Sequence, residues 1–249
     1  MTVLKADRIE IVHHARRTSV SLDSMVRINR KAAGLNVFRL GRLALVAAVG
    51  ITCGSMALYP GGTYLDPSMR GYSIFLNSLS DLGSRRSWSG TANPASWFYT
   101  VGALMFVVGT ASCLLGLLRV YSRLPGSRGL VRGAGALLSL TALAMIGVAF
   151  APQDQFQVLH GGLTLFAIGS FPLASLLLGI ATLKGNSRWA PFSWFTLAIV
   201  IALWGASIFG KPQTKLQLAV PVTLQKIVAI CIIVTLAAHS KRAERLSKE

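Results

Sequence analysis

The sequence predicts an all-α membrane protein: a bundle of six transmembrane helices with both termini cytoplasmic and a short amphipathic interfacial helix in the first outer loop. Three observations carry this reading. Of the 249 residues, 53% are hydrophobic and 13% charged, a balance that departs from that of soluble domains. Six apolar segments, near 39–59, 95–118, 133–150, 156–183, 191–209 and 218–238, each approach the ~20 residues a crossing needs. Lysine and arginine alternate between loops, with nine up to Arg42, four from Arg119 to Arg132, two from Lys184 to Arg188 and four after His239. The opposite loops hold three, none and two. This positive-inside bias places both ends of the bundle's chain in the cytoplasm.

The net charge of +17 is therefore a topology signal. The basic residues form no stripe, so nucleic acid is not an expected partner. Residues 1–38, with His13-His14, Arg16-Arg17 and the run Arg27 to Lys31, are expected to be a basic cytoplasmic tail, too long and too charged for the start of a signal peptide. Residues 39–240 form the transmembrane domain and 241–249 a second short basic tail. Cys53, Cys113 and Cys231 lie inside apolar runs, where thiols pack as small hydrophobes and imply neither disulfide nor zinc.

Within the spans, small residues four apart allow close helix approach: Gly50/Gly54, Ser112/Gly116, Gly135/Ser139 and Ser170/Ala174. Pro172 removes a hydrogen bond to Ile168 and predicts a kink in span four. Span six is expected to begin its regular helix at Pro221. Tyr59, Tyr64, Trp88, Trp97 and Tyr99 are placed in the outer aromatic belt, Tyr121 and Trp189 in the inner one. PGSRGLVRGAG, Pro125 to Gly135, lacks the Gly-Lys-Ser/Thr of a phosphate loop and is read as an inner turn with topogenic arginines.

The polar stretch Tyr72 to Pro94 lies on the outer side between spans one and two. Phe75, Leu76, Leu79 and Leu82 recur at helical spacing, with Ser73, Asn77, Ser80 and Asp81 opposite. About a dozen residues cannot cross ~30 Å of hydrocarbon, so the segment is expected to be an interfacial helix ended by Gly83. Asp81 falls near its C-terminal end, where the carbonyls repel a carboxylate. An ion pair with Arg85 or Arg86 is the bland expectation, a ligand role the sharper one. Asn93-Pro94 reads as the N-cap of span two. Asp154 and Gln157 read as a capping box for span four. His160, ~9 Å below that cap, requires a hydrogen bond and favours the neutral ring. Lys226 is an ionisable group inside span six, expected to approach Asp81 or Asp154.

NSLSDLGS (Asn77 to Ser84), NPASWF (Asn93 to Phe98) and APQDQFQVLHGGLT (Ala151 to Thr164) resemble a bacterial and archaeal membrane family, the domain of unknown function 998. The likeness covers roughly residues 40–240. That family commonly carries a Glu-Arg pair where this chain has Gln225-Lys226, so the positive charge is kept and the carboxylate lost. The family is distantly similar to the Frag, DRAM and Sfk group of six-span proteins, associated with membrane-lipid organisation. The resemblance implies a six-helix fold with an outward polar site and supplies no reaction.

The function expected is binding of a membrane-lipid head group, or of a protein partner of unknown identity, in an outer cleft formed by Asn77, Asp81, Asp154, His160 and Lys226. No catalytic residue, metal or cofactor is assigned. A small-solute transporter is an alternative, opposed by the missing internal repeat and the scarcity of midplane charge. A membrane hydrolase is another, with Ser78 or Ser80 as nucleophile and His160 as base, or with Asp81, Asp154 and His160 on a metal. The hydrolase requires a serine Oγ within ~3 Å of the imidazole.

Overall fold

The computed structural model describes residues 37–183, 190–207 and 212–246. The basic tail up to residue 36, Lys184, Arg188, Trp189 and residues 247–249 lie outside them. The described chain is all-α, with helices α1 (Val37–Leu58), α2 (Leu79–Gly83), α3 (Ala95–Tyr121), α4 (Arg128–Phe150), α5 (Gln157–Leu183), α6 (Ala190–Ser207) and α7 (Lys215–Leu246). Five of them, α1, α3, α4, α5 and α7, are long and apolar enough to cross a membrane, whereas the apolar stretch of α6, Ser193–Gly205, is shorter. Residues 241–246, expected as part of a tail, continue α7.

Helices α3 to α7 pack in a ring: each touches the next in sequence, and α7 closes on α3. α1 lies against the outside of α3. Glycines set that distance: a Cβ on Gly41 would stand 2.5 Å from Cys113 Sγ, and one on Gly109 would stand 2.7 Å from Leu45 Cγ. Gly116 accepts the ring of Phe38 in the same way. The expected small-residue pair Gly50/Gly54 instead faces open space. The buried core, which includes Leu45, Leu117, Phe171, Leu178, Trp194 and Leu236, is enclosed by apolar surface. Leu43, Val46, Leu143 and Val234 are each at least 60% exposed. A surface of that kind is stable only in lipid or detergent, so this is a membrane protein.

Two helix starts differ from expectation. α7 begins six residues before Pro221 because Thr214 and Gln217 form a reciprocal cap: Thr214 Oγ1 accepts from Gln217 N, while Gln217 Oε1 accepts from the Gln213 and Thr214 amides. Pro221 therefore sits inside α7, as Pro172 sits inside α5. The interfacial helix is five residues long. Residues 73–77 make a turn, closed by Asn77 N to the Ser73 carbonyl at 2.9 Å, and Ser78 starts α2 as a true N-cap. Its burial does not follow the expected division into an apolar and a polar face: Leu82 is buried but Phe75 is exposed, and Asn77 and Asp81 are buried with Leu82. Gly83 ends α2 without a left-handed turn, and its missing side chain admits the Tyr99 ring.

Tyr121, placed in an aromatic belt by sequence, is buried instead. Its hydroxyl bonds His239 Nδ1 at 3.0 Å, and His239 stacks on Trp194. At the same end of the bundle Arg42 of α1 pairs with Glu244 of α7 at 2.8 Å.

The glycine contacts give a direct test in purified, detergent-solubilised protein. Gly109→Val forces a branched side chain into Leu45 and the α1 backbone, and is expected to destabilise by roughly 1–3 kcal/mol. Gly50→Ala meets nothing and is expected to leave the melting temperature unchanged or slightly raised, since alanine is the better helix former. Equal effects of the two substitutions would show that α1 does not rest on α3 in this way.

Candidate functional site

The end of the bundle that carries residues 59–94 gathers polar groups from four parts of the chain. Asn77, fully buried, is their hub. Its Nδ2 donates to the Gly62 carbonyl at 2.9 Å and to Asp81 Oδ2 at 3.2 Å, and its Oδ1 accepts from Ser73 N at 2.9 Å. Gly62 can reach it because its φ of +81° and the backbone of Trp88-Ser89 beside it exclude a side chain. The Asn77 carbonyl accepts from Lys226 Nζ at 2.7 Å and from Tyr72 OH at 2.9 Å.

Asp81 completes a capping box: Ser78 Oγ accepts from Asp81 N, and Asp81 Oδ2 accepts from Ser78 N at 2.8 Å. Burial pushes the Asp81 carboxyl above the usual carboxylate range, against the opposing influence of Asn77, Ser78 and the Trp88 indole. The expected ion pair with Arg85 or Arg86 does not form. Arg85 donates to Ser96 Oγ at 3.1 Å and stacks 3.8 Å above Trp97, and Arg86 donates to the Gly90 carbonyl at 3.1 Å. The capping box uses both Asp81 and the helix start, leaving the arginines to other partners.

Asp154 likewise does other work than capping α5. Its two carboxylate oxygens each accept a backbone amide, from Arg85 and Arg86, both at 2.9 Å. The loop before α5 is thereby clamped to the loop after α2. Asn93 makes a second clamp. Its Oδ1 accepts from Ala95 N at the start of α3, while Nδ2 donates to the Leu82 and Ser84 carbonyls at 3.0 and 2.8 Å. One amide side chain thus ends α2 and begins α3.

His160, on the first turn of α5, is 7% exposed. Its Nδ1 lies 2.7 Å from the Ala151 carbonyl and its Nε2 lies 3.1 Å from Ser80 Oγ. A carbonyl only accepts, so Nδ1 carries the proton. Nε2 is then the bare nitrogen and accepts from the Ser80 hydroxyl. The ring belongs to a neutral imidazole oriented from behind by Ala151, and Ser80 stands in front of it.

Ser80 in turn lines a cavity of about 710 Å³ walled mainly by α1, α3, α4 and α7, with α5 and α6 contributing Thr164, Phe171 and Trp204. Its wall on α3 runs from Tyr99 to Leu118, ~28 Å at 1.5 Å per residue, so the space extends through most of the bundle. Its one charged group and its one side-chain amide stand together at one end, Lys226 and Gln225, beside Ser80. Deeper hydroxyls on the wall bond their own helices, Thr110 to Phe106, Ser139 to Gly135 and Thr141 to Leu137. Thr164 differs, since its buried Oγ1 has no partner although the residue faces the cavity one turn below His160.

Of the residues proposed from sequence, Asn77, Asp81 and Lys226 form one bonded group, and His160 joins α2 through Ser80. Lys226 does not contact either aspartate directly. Asn77 stands between it and Asp81. Asp154 belongs to the clamp and does not face the cavity. Asp81, Asp154 and His160 do not converge, and no set of three metal-ligating side chains occurs among the described residues. Gln225 and Thr164 were missed as site members. Gln225 Oε1 accepts from Leu79 N at 2.9 Å, tying α7 to α2, and Thr164 was legible only as the i+4 neighbour of His160 on one helical face.

No protein-family model, no curated protein and no solved structure matches this chain.

Two measurements follow. Asn93→Ala leaves the Leu82 and Ser84 carbonyls unpaired in a buried setting and is expected to cost roughly 2–3 kcal/mol, read as a lower melting temperature in detergent. Because the Asp81 proton is held more tightly in the fold than in the unfolded chain, its contribution to stability is present below the ordinary carboxylate pKa of about 3.9 and is lost as pH rises through the folded value. The melting temperature of wild type is expected to fall, relative to that of Asp81→Asn, as pH is raised from about 4 upward. Parallel curves for the two proteins would show that Asp81 is not held protonated by burial.

Proposed function

We propose that this chain is a six-span cell-membrane protein with both termini in the cytoplasm, and that it binds a membrane lipid whose head group sits at the outer face. The charge asymmetry of the loops supports the orientation. The Arg42–Glu244 pair supports an even number of crossings, since it puts the start of α1 and the end of α7 at one end of the bundle. The likeness of residues 77–84 and 93–98 to the six-span family of unknown function 998 supports the same topology, with α6 as the remaining span.

The observation that carries the ligand class is the polarity of the cavity. A volume of about 710 Å³ is within the ~300–1,000 Å³ range of small-molecule sites. Its length and apolar wall suit an acyl chain, and its charged end suits a head group. Lys226 supplies the cation there. Two of its three hydrogens are committed, to Asn77 O at 2.7 Å and Val222 O at 3.3 Å, and beyond the Tyr72 ring, whose centroid is 5.5 Å away, the third has no acceptor among the described residues and can meet an anionic oxygen. The Gln225 amide and the Thr164 hydroxyl add neutral donors. A transporter is less well supported because Thr110, Ser139 and Thr141 along the cavity bond carbonyls of their own helices, which provides no continuous polar path.

Native mass spectrometry of the full chain tests this. Wild type is expected to retain phosphatidylglycerol in preference to phosphatidylcholine when offered both in mixed micelles. Lys226→Gln is expected to reduce that preference about tenfold, equivalent to ~1.4 kcal/mol. Ala103→Trp, which fills the cavity wall, is expected to remove bound lipid of either kind. A wild-type protein that emerges free of lipid, or equal lipid binding by Ala103→Trp and wild type, overturns the proposal.

A further inference from the structure

Ser80 and His160 are not needed to bind a lipid, and their arrangement asks for another account. Among the described residues the one side-chain partner each finds on another helix is the other, Ser80 Oγ to His160 Nε2 at 3.1 Å. The serine faces the cavity and the imidazole stands behind it. A buried histidine needs two partners, and a carbonyl plus a water could serve as well as a serine on a separate helix. Here the tautomer is set by the Ala151 carbonyl so that the basic nitrogen points at the hydroxyl that lines the ligand space. This is the nucleophile, base and orienting-acceptor order of a serine acyl hydrolase.

Donors for a developing oxyanion are also present. Gln225 Oε1 is fixed by Leu79 N, which turns its Nε2 the other way. That amide nitrogen has no acceptor among the described residues, and Gln225 lines the same cavity end as Ser80. Leu79 and Ser80 are adjacent, so the bond that holds Gln225 also sets its distance from the serine. The third Lys226 hydrogen is a second donor on the next residue of α7.

We propose that Ser80 is the nucleophile and His160 the general base of an esterase acting on ester-linked amphiphiles whose acyl chain occupies the cavity. The substrate class rests on the lipid-binding reading, and the dyad itself does not. In the first step Ser80 Oγ bonds the ester carbonyl carbon and its proton passes to His160 Nε2, while Nδ1–H stays on the Ala151 carbonyl. The carbonyl oxygen takes up charge against Gln225 Nε2 and Lys226 Nζ. The carbon–oxygen bond to the alcohol then breaks, and the alcohol leaves with the proton from Nε2. Water attacks the acyl-serine, giving its proton to Nε2, which returns it to Ser80 Oγ as the carboxylic acid departs. The net reaction is ester plus water to acid plus alcohol, with nothing oxidised or reduced.

The test uses the full chain in detergent micelles with a fluorophosphonate probe and with p-nitrophenyl octanoate. Ser80 is expected to carry the phosphonyl adduct by peptide mass spectrometry, and Ser80→Ala to lower octanoate turnover by at least ~100-fold, the scale of losing a positioned nucleophile or base. His160→Asn is expected to lower both readouts, and Ser80→Cys, which restores a nucleophilic atom at the same place, to form an acyl adduct with octanoate. Absence of an adduct on Ser80 in wild type, or turnover by Ser80→Ala equal to wild type, overturns the proposal. The two readings fail separately. Retained phosphatidylglycerol with an unlabelled Ser80 overturns the esterase alone, and a labelled Ser80 in a protein that retains no lipid overturns the binding reading alone.

Discussion

The bonds of one buried amide hold the polar end of this bundle together. Asn77 uses its whole hydrogen-bonding capacity: two side-chain donors, the side-chain acceptor and a backbone carbonyl that receives both Lys226 and Tyr72. In an apolar setting each unmade bond costs about 1–3 kcal/mol, so every partner is constrained to remain. Gly62 fixes the approach of the loop after α1, Ser73 closes the turn, and Asp81 is aligned for the capping box that starts α2. Through Lys226 the register of α7 is set against α2, and Gln225, one residue before, falls on Leu79 N as a consequence. The position of Ser80 follows from the same frame, because it lies inside the four-residue box that Ser78 and Asp81 define.

Two clamps keep that frame on the helices. Asp154 and Asn93 both bond backbone rather than charged side chains, and they bond it twice or more. A carboxylate that accepts two adjacent peptide amides fixes the path of a loop whatever the side chains there are. Arg85 and Arg86 therefore contribute position through their amides, while the Arg85 guanidinium lies over Trp97 and on Ser96. Since Asp154 and His160 are six residues apart, the loop clamped to Arg85-Arg86 delivers the imidazole to Ser80, and Ala151 at the start of that loop supplies the carbonyl behind it.

The long helices were legible because a helix surrounded by lipid must be apolar on its outer face as well as its packing face, so composition alone marks it. The polar segment was legible as an anomaly and misread in detail. Its apolar residues repeat at helical spacing, but Asn77 and Ser78 compete for the backbone more strongly than the helix does, which shortens α2 to five residues. Asn77 and Asp81 can be buried together with Leu82 because each finds hydrogen-bond partners there. Asn93 is legible as the cap of α3, and its Oδ1 does accept from Ala95 N, whereas its bonds back to α2 and the partners of Asp154 and Lys226 are not. A backbone amide carries no sequence signature, so a carboxylate bonded to amides 68 and 69 positions away cannot be foreseen from spacing. Thr214 and Gln217, in contrast, spell a capping box that was available to be read, and the choice of Pro221 as the start of α7 overlooked it.

The electrostatics of the cavity end turn on Asn77 standing between Asp81 and Lys226. Direct contact would give a neutral pair, and the cavity would have no charge to offer. Separation by a neutral amide leaves the two groups free to differ. Burial favours the protonated Asp81, whereas the ammonium is held by two carbonyls, which stabilise a cation and cannot receive its charge. The cavity wall therefore carries the ammonium and a free amide donor, with Asp81 set back behind Asn77 and off the wall. An anion, or a carbonyl oxygen acquiring negative charge, is the species such a site stabilises. Lipid binding and ester cleavage draw on the same feature: the head group would meet it in the ground state and the tetrahedral oxyanion in the transition state. Only the second of these uses Ser80 and His160, and for that reason the bond between them, more than the cavity, separates a protein that holds lipid from one that alters it.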